Sequence, residues 1–232
     1  MSSEPAPPSD LRSRVLDAVA KEPVVTWRVG TRRRLLVVAR GVAVASLVWT
    51  AAMIHGPEAR GRPVAYVMEL EALWVALAVV ATWAGAIRGR SMLGRPASWK
   101  IVVAVLTPAA LLLAWVPVAL AWPQTMHDAS GLRAHVVCVV MTFAFAAGPL
   151  VAFARLQRAS DPVSPRLSGA ALGAASGAWG AVAHALICGY SSPAHIALGH
   201  VLPVALLALA GIVVGDRALA LRADNISRPV RC

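Results

Sequence analysis

Apolar residues run along this chain in long unbroken blocks, not in narrow stripes. Six blocks stand out, near residues 35–55, 64–87, 100–122, 134–156, 167–190 and 194–216. Each is close to the roughly 20 residues that an α-helix needs to cross about 30 Å of hydrocarbon. Short polar stretches separate them, such as RGRSMLGRPASWK before and into the third and GYSSP between the last two. The pattern predicts an all-α, polytopic membrane protein with six transmembrane helices. Its organisation reads as a cytoplasmic N-terminal segment (1–34), a six-helix transmembrane domain (35–216) and a cytoplasmic tail (217–232).

A different pattern precedes the first block. Residues 1–10, MSSEPAPPSD, are rich in Pro and Ser. Asp10 is a good helix N-cap, and behind it Leu11, Val15, Leu16 and Val19 form an apolar stripe at helical spacing. Pro23 limits this short helix. Trp27, Arg28 and the run Arg32–Arg33–Arg34 follow. The stripe has two uses. It can lie on the inner membrane face with the arginines meeting anionic lipid. It can equally be offered to the groove of a cytoplasmic partner. The leader is too long for a signal peptide and lacks a small-residue cleavage site, so the first block is expected to remain as an anchor.

Composition strengthens the membrane assignment. The chain is 58% hydrophobic and 14% charged, against about 25% charged in soluble domains. A soluble surface cannot be built from so few charges. The net charge of +11 would suggest nucleic acid if the cations clustered on one face, but they alternate between loops. Eight Lys or Arg lie in the N-terminal region up to Arg40, four in the second loop, three in the fourth and four in the tail. The first, third and fifth loops hold two, one and none. Positively charged loops stay in the cytoplasm. Both termini are therefore expected there, in a bacterial inner membrane, with no direct contact to nucleic acid.

The chain carries no phosphate-binding loop, dinucleotide fingerprint, zinc-protease helix or nucleophile elbow. An enzyme is not expected. Pro108, Pro117 and Pro203 can kink helices without any transported substrate. Glu69 and Glu71 near the outer end of the second block are about 200° apart on a helix; intramembrane carboxylates can mark an ion pathway, but these two are expected to reach the outer interface.

The fifth block, GAALGAASGAWGAVAHALIC, is unlike the rest. As a helix it puts Gly169, Gly173, Gly177 and Gly180 on one side, continued by His184 and Cys188. A glycine stripe lets another helix come close. By charge alternation its thiol end is the outer one. Cys138, one helix earlier, lies at a depth within about 5 Å of Cys188 at 1.5 Å per residue. A disulfide, which needs Cα atoms about 4.4–6.8 Å apart, is within reach on the oxidising side of the membrane. Cys232 matches no lipidation motif. All six histidines, His55, His127, His135, His184, His195 and His200, map to the outer half. His135 with Cys138, and His184 with Cys188, share helix faces at spacings of three and four. Thiolate and imidazole suit a soft metal ion, so His135, His184, Cys138 and Cys188 form a candidate metal set. The plainer alternative is that the histidines stand in for excluded arginine and the cysteines are small core residues.

The stretch from Cys138 through SDPVSPRLSGAALGAASGAWGAVAHALIC to SSPAHIALGHVLPVALLALAGIVVGDRAL resembles NrsF-type (CarR-like) six-helix integral membrane anti-sigma factors of bacteria. Their pattern has one Cys at the outer start of the fourth helix and one at the outer end of the fifth, positions matched by Cys138 and Cys188. A short N-terminal helix, an arginine run and a Pro-containing inner loop match as well. Many members have Cys-Pro where this chain has Cys188-Gly189. The resemblance implies a negative regulator that holds an extracytoplasmic-function sigma factor at the membrane and releases it when a stress signal reaches the Cys pair. A small membrane metal-handling or transport protein using the outer His and Cys groups is the competing expectation.

Overall fold

The structure is a computed structural model that describes residues 62–86, 96–125, 131–157 and 163–219, with Ser13 and Asp17 as isolated helical positions. The chain divides into two units, Met1–Arg40 and Gly41–Cys232. The block at 35–55 and the stripe Leu11, Val15, Leu16 and Val19 lie outside the described residues.

Five helices account for the described part of the second unit. They are α1 (Val64–Ala86), α2 (Ala97–Ala121), α3 (Leu132–Leu156), α4 (Pro165–Ala185) and α5 (Pro193–Ala218). A 3₁₀ turn, Pro123–Thr125, follows α2. Side-chain bonds between helix ends show two antiparallel pairs. Trp122 at the end of α2 reaches Glu69 at the start of α1. Arg166 at the start of α4 pairs with Asp216 at the end of α5.

Four of these helices, α1, α2, α3 and α5, are long and apolar enough to cross a membrane. Their outward faces carry large apolar side chains, including Val80, Trp83, Leu113, Leu120, Val140 and Leu209, all more than half exposed. Such a surface suits hydrocarbon and not water. The chain is a membrane protein.

The fourth described helix departs from the expectation of a span at 167–190. It ends at Ala185, and its Gly/Ala composition leaves it outside the set of membrane-apolar helices. The reason is its place. From Gly169 to Ala185 every residue except Trp179 and Ala183 is buried, because neighbouring helices enclose it and lipid does not. Small side chains are then an advantage, since close helix packing depends on backbones approaching. A Cβ added to Gly169 would overlap Gly211 O, and one added to Gly211 would overlap Gly169 O. Gly173 meets the Leu207 carbonyl in the same way, and Gly177 would come within 2.8 Å of Val204 Cα. These three glycines pack on α5. Gly180 turns instead to α3, where a Cβ would lie 2.5 Å from Thr142 O.

On its other side α4 meets α1 and α2. Tyr66, Val67, Leu70 and Trp74 of α1, Leu111, Trp115 and Val118 of α2, and Ala178, Ala181 and Val182 of α4 share one buried cluster. Two indole N–H groups here find backbone or hydroxyl partners. Trp74 Nε1 donates to Leu111 O at 3.0 Å and Trp179 Nε1 to Thr82 Oγ1 at 2.9 Å.

The two glutamates of α1 separate as their angular spacing requires. Glu69 accepts from Trp122 Nε1 at 2.9 Å in an exposed position. Glu71 points inward, is 1% exposed, and neither of its carboxyl oxygens has a hydrogen-bond partner among the described residues. Glu69 is thus exposed, whereas the expectation that both glutamates reach outward is corrected for Glu71, which is enclosed.

Replacing Gly173 with Val drives side-chain atoms into the α5 backbone, which cannot yield as a side-chain tip would. Overpacking costs typically about 1–3 kcal/mol and more where backbone must move. Gly173→Val should lower the thermal unfolding midpoint of the detergent-solubilised protein sharply. Gly148→Ala on α3, where an added Cβ meets nothing within 4 Å, should leave stability within about 1 kcal/mol of the parent.

Candidate functional site

Where α3 begins, α4 ends and α5 begins, five buried side chains able to bind a metal or a proton come together. Cys138 sits in the second turn of α3 and is 5% exposed. Cys188 stands just beyond the end of α4, not within it, and its N–H still donates to His184 O at 2.9 Å. The two Sγ atoms are 3.8 Å apart and the thiols are free. His195, in the first turn of α5, places Nε2 3.2 Å from Cys188 Sγ. His184 stacks on His200 with ring centroids 4.8 Å apart, and His200 meets His195 edge-on at 5.5 Å.

Three connections hold the loop that presents Cys188. Arg62, buried ahead of α1, donates from Nη1 to Ala185 O at 3.1 Å and from Nη2 to Leu186 O at 3.3 Å. A cation at a helix C-terminus satisfies its last carbonyls and complements its dipole. Ser191 Oγ donates to Thr125 O in the 3₁₀ turn after α2. Ser192 caps α5 by accepting from His195 N–H at 3.4 Å.

The start of α5 is not regular α-helix. Ile196–Val201 forms a π turn, in which Leu202 N–H reaches back five residues to Ala197 O. Pro203 explains it. Proline has no N–H to give the carbonyl four residues earlier, and its ring pushes that carbonyl away. The carbonyl concerned belongs to Gly199, and it is taken up from outside the helix by Thr142 Oγ1 of α3, 3.1 Å away. In an α-helix His195 and His200 would be about 140° apart. The wider i→i+5 turn brings them round toward one face.

The donor atoms form two triads, Cys138–Cys188–His195 and His184–Cys188–His200, each with its donors within 4.8 Å of one another. Cys188 belongs to both. Two sulfurs each about 2.3 Å from a tetrahedral ion stand about 3.8 Å apart, the separation of the two thiols here. Among the described residues, neither ring nitrogen of His184 or His200, nor Nδ1 of His195, has a hydrogen-bond partner. Buried polar atoms are costly without partners, so these imidazoles are suited to receive a metal ion or a proton. Phe145 and Trp74 wall the cluster, with ring centroids 6.4 Å from His184 and 5.8 Å from His200.

Of the residues that the sequence marks as candidates, Cys138, Cys188 and His184 are brought together. His135 lies at the rim, its ring 5.2 Å from His195, and belongs to neither triad. Charge alternation puts His195 and His200 at this end of the molecule, but helical spacing leaves them out of the donor set. Their spacing of five is out of phase for an α-helix, and the signal that reconciles it is Pro203, three residues further on. Gly169, Gly173 and Gly177 lead away from the cluster, on the face of α4 that meets α5.

Comparison with curated proteins and with solved structures finds no match. A family model described as negative regulator of sigma F matches residues 18–220, spanning α1 to α5 and every member of the cluster. The chain belongs to the NrsF family, negative regulators of a sigma factor.

Proposed function

We propose that this protein is a six-span membrane anti-sigma factor whose cysteine–histidine cluster is its sensor. In this reading both termini are cytoplasmic and residues 1–34 hold an extracytoplasmic-function sigma factor through the stripe Leu11, Val15, Leu16 and Val19. The cluster faces the periplasm. The observation that carries the sensor assignment is the pair of thiols 3.8 Å apart beside buried imidazoles without hydrogen-bond partners among the described residues.

Charge supports the direction. The end of the bundle opposite the cluster carries Lys100, Arg155, Arg166 and Arg217, the cations expected of a cytoplasmic side. Two inputs fit the donors. A soft ion would be bound by Cys138, Cys188 and His195, with His184 and His200 available to the same Cys188. Alternatively, an oxidant that accepts two electrons would join the two sulfurs as the thiols release two protons. Either input changes how α3, α4 and α5 meet, and a signal releases a partner only by favouring one of two packings.

Two measurements test this reading. Cys138→Ser and Cys188→Ser should each abolish induction of the cognate regulon, scored with a reporter. Undiminished induction in both would remove the cluster from sensing. Deleting residues 1–34 should make the regulon constitutive; continued repression would place the docking segment elsewhere.

Metal binding gives a third expectation. Purified protein should bind zinc or cadmium, read by equilibrium dialysis. Cys188→Ser, which disables both triads, should weaken binding by more than about 100-fold, beyond the 10–100-fold typical of an outer-shell loss. His135→Ala should change it little. Ligand protonation competes with the ion, so affinity should fall as pH is lowered. Metal bound tightly with no effect of any Cys variant on the regulon would favour a metal-handling protein.

A further inference from the structure

The five members of the cluster are all buried, yet a metal ion must reach them from water. The ring contacts point to a route. Phe145 backs His184 and Trp74 backs His200, apolar walls that offer an ion no donor. His195 instead faces two half-buried polar side chains, His135 and Tyr190, with ring centroids 5.2 and 5.1 Å away. Of the two, His135 carries the soft donor, and it stands three residues before Cys138 on the same face of α3. Its Nδ1 is 3.2 Å from Gly131 O. A carbonyl can only accept, so Nδ1–H donates and the lone pair is left on Nε2. Histidines that ligate metals are fixed in this way, with the other ring nitrogen donating to a carbonyl or carboxylate. His195 is placed for the next step. Its Nε2 lies 3.2 Å from Cys188 Sγ, and its Nδ1 has no hydrogen-bond partner among the described residues. An imidazole nitrogen holds zinc at about 2.0–2.1 Å, so rings 5.2 Å apart are close enough to share one ion.

We propose that His135 is the entry ligand of the cysteine–histidine cluster: it takes a soft divalent ion from water at the rim and passes it by way of His195 to Cys138 and Cys188. This role presupposes the reading of the cluster as a metal site. During transfer the ion exchanges water for imidazole and then imidazole for sulfur, and each thiol that binds gives up its proton to solvent. His135 belongs to neither triad, so it does not hold the ion at rest. It lowers the barrier for entry and for exit alike. Binding and release are both accelerated by one factor, and the equilibrium affinity is untouched.

The test uses cadmium, because a cadmium–thiolate bond absorbs in the ultraviolet and so reports arrival at sulfur. With reduced, detergent-solubilised full-length protein, stopped-flow absorbance gives the rate of binding, and mixing with excess chelator gives the rate of release. Cys188→Ser supplies the baseline, since Cys188 belongs to both triads. His135→Ala should slow both rates at least tenfold, the effect of about 1.4 kcal/mol on a barrier, while the dissociation constant from equilibrium dialysis stays at the parental value. His135→Gln keeps a polar side chain but no soft donor and should behave like His135→Ala. His135→Cys keeps a soft donor within reach and should exchange at near the parental rates. Parental rates in His135→Ala and His135→Gln would mean that the ion enters elsewhere, and faster exchange would mean that the ring plugs the rim; either overturns the proposal. Slower binding with unchanged release, and affinity lowered to match, would make His135 an ordinary ligand of the resting ion and overturn it as well. No cadmium–thiolate band in the parent would remove the metal-site reading and this role with it, whereas parental rates in the His135 variants leave the metal-site reading standing.

Discussion

The contact between α4 and α5 is the constraint on which the rest depends. At Gly169, Gly173 and Gly211 backbone faces backbone, with no room for a Cβ on any of the three. Hydrophobic burial gives little drive between helices already in lipid, so association there relies on close van der Waals contact. A helix of glycine and alanine meets that need from all directions at once. It can be enclosed by α1, α2, α3 and α5 because its own side chains occupy so little width.

The close approach has a chemical result at one end. α4 stops at Ala185 and α5 begins at Pro193, so the chain must turn back within a few residues beside a tightly packed pair. That turn holds Cys188 within reach of His184 behind it and His195 ahead. α3, seated against Gly180, contributes Cys138 from the side. The cluster is assembled from three helix ends because those ends are forced to one level, and its polar atoms are sealed from solvent by the same packing.

Much of this is legible in the residues themselves. The blocks at 64–87, 100–122 and 134–156 correspond to α1, α2 and α3 within a few positions, because uninterrupted apolar length is a strong signal. The Cys138–Cys188 proximity follows from depth counting along antiparallel helices. What is not legible depends on which direction a side chain faces. Glu71 has the same composition signal as Glu69, yet one is enclosed and the other reaches Trp122. His195 and His200 fall out of phase when regular α geometry is carried through Pro203. Arg62 reads as one of two loop cations, and only the fold shows that its guanidinium ends on α4. The family's regulatory role comes from the match over residues 18–220, not from any of these distances.

The bond from Arg62 to α4 spans more than 120 positions of sequence, and the donor lies on the N-terminal side. During synthesis Arg62 and α1 leave the ribosome well before the carbonyls of Ala185 and Leu186 exist. The end of α4 is therefore closed by a guanidinium synthesised well before it. Order of synthesis runs with the fold here: the cation that terminates the central helix is made before that helix.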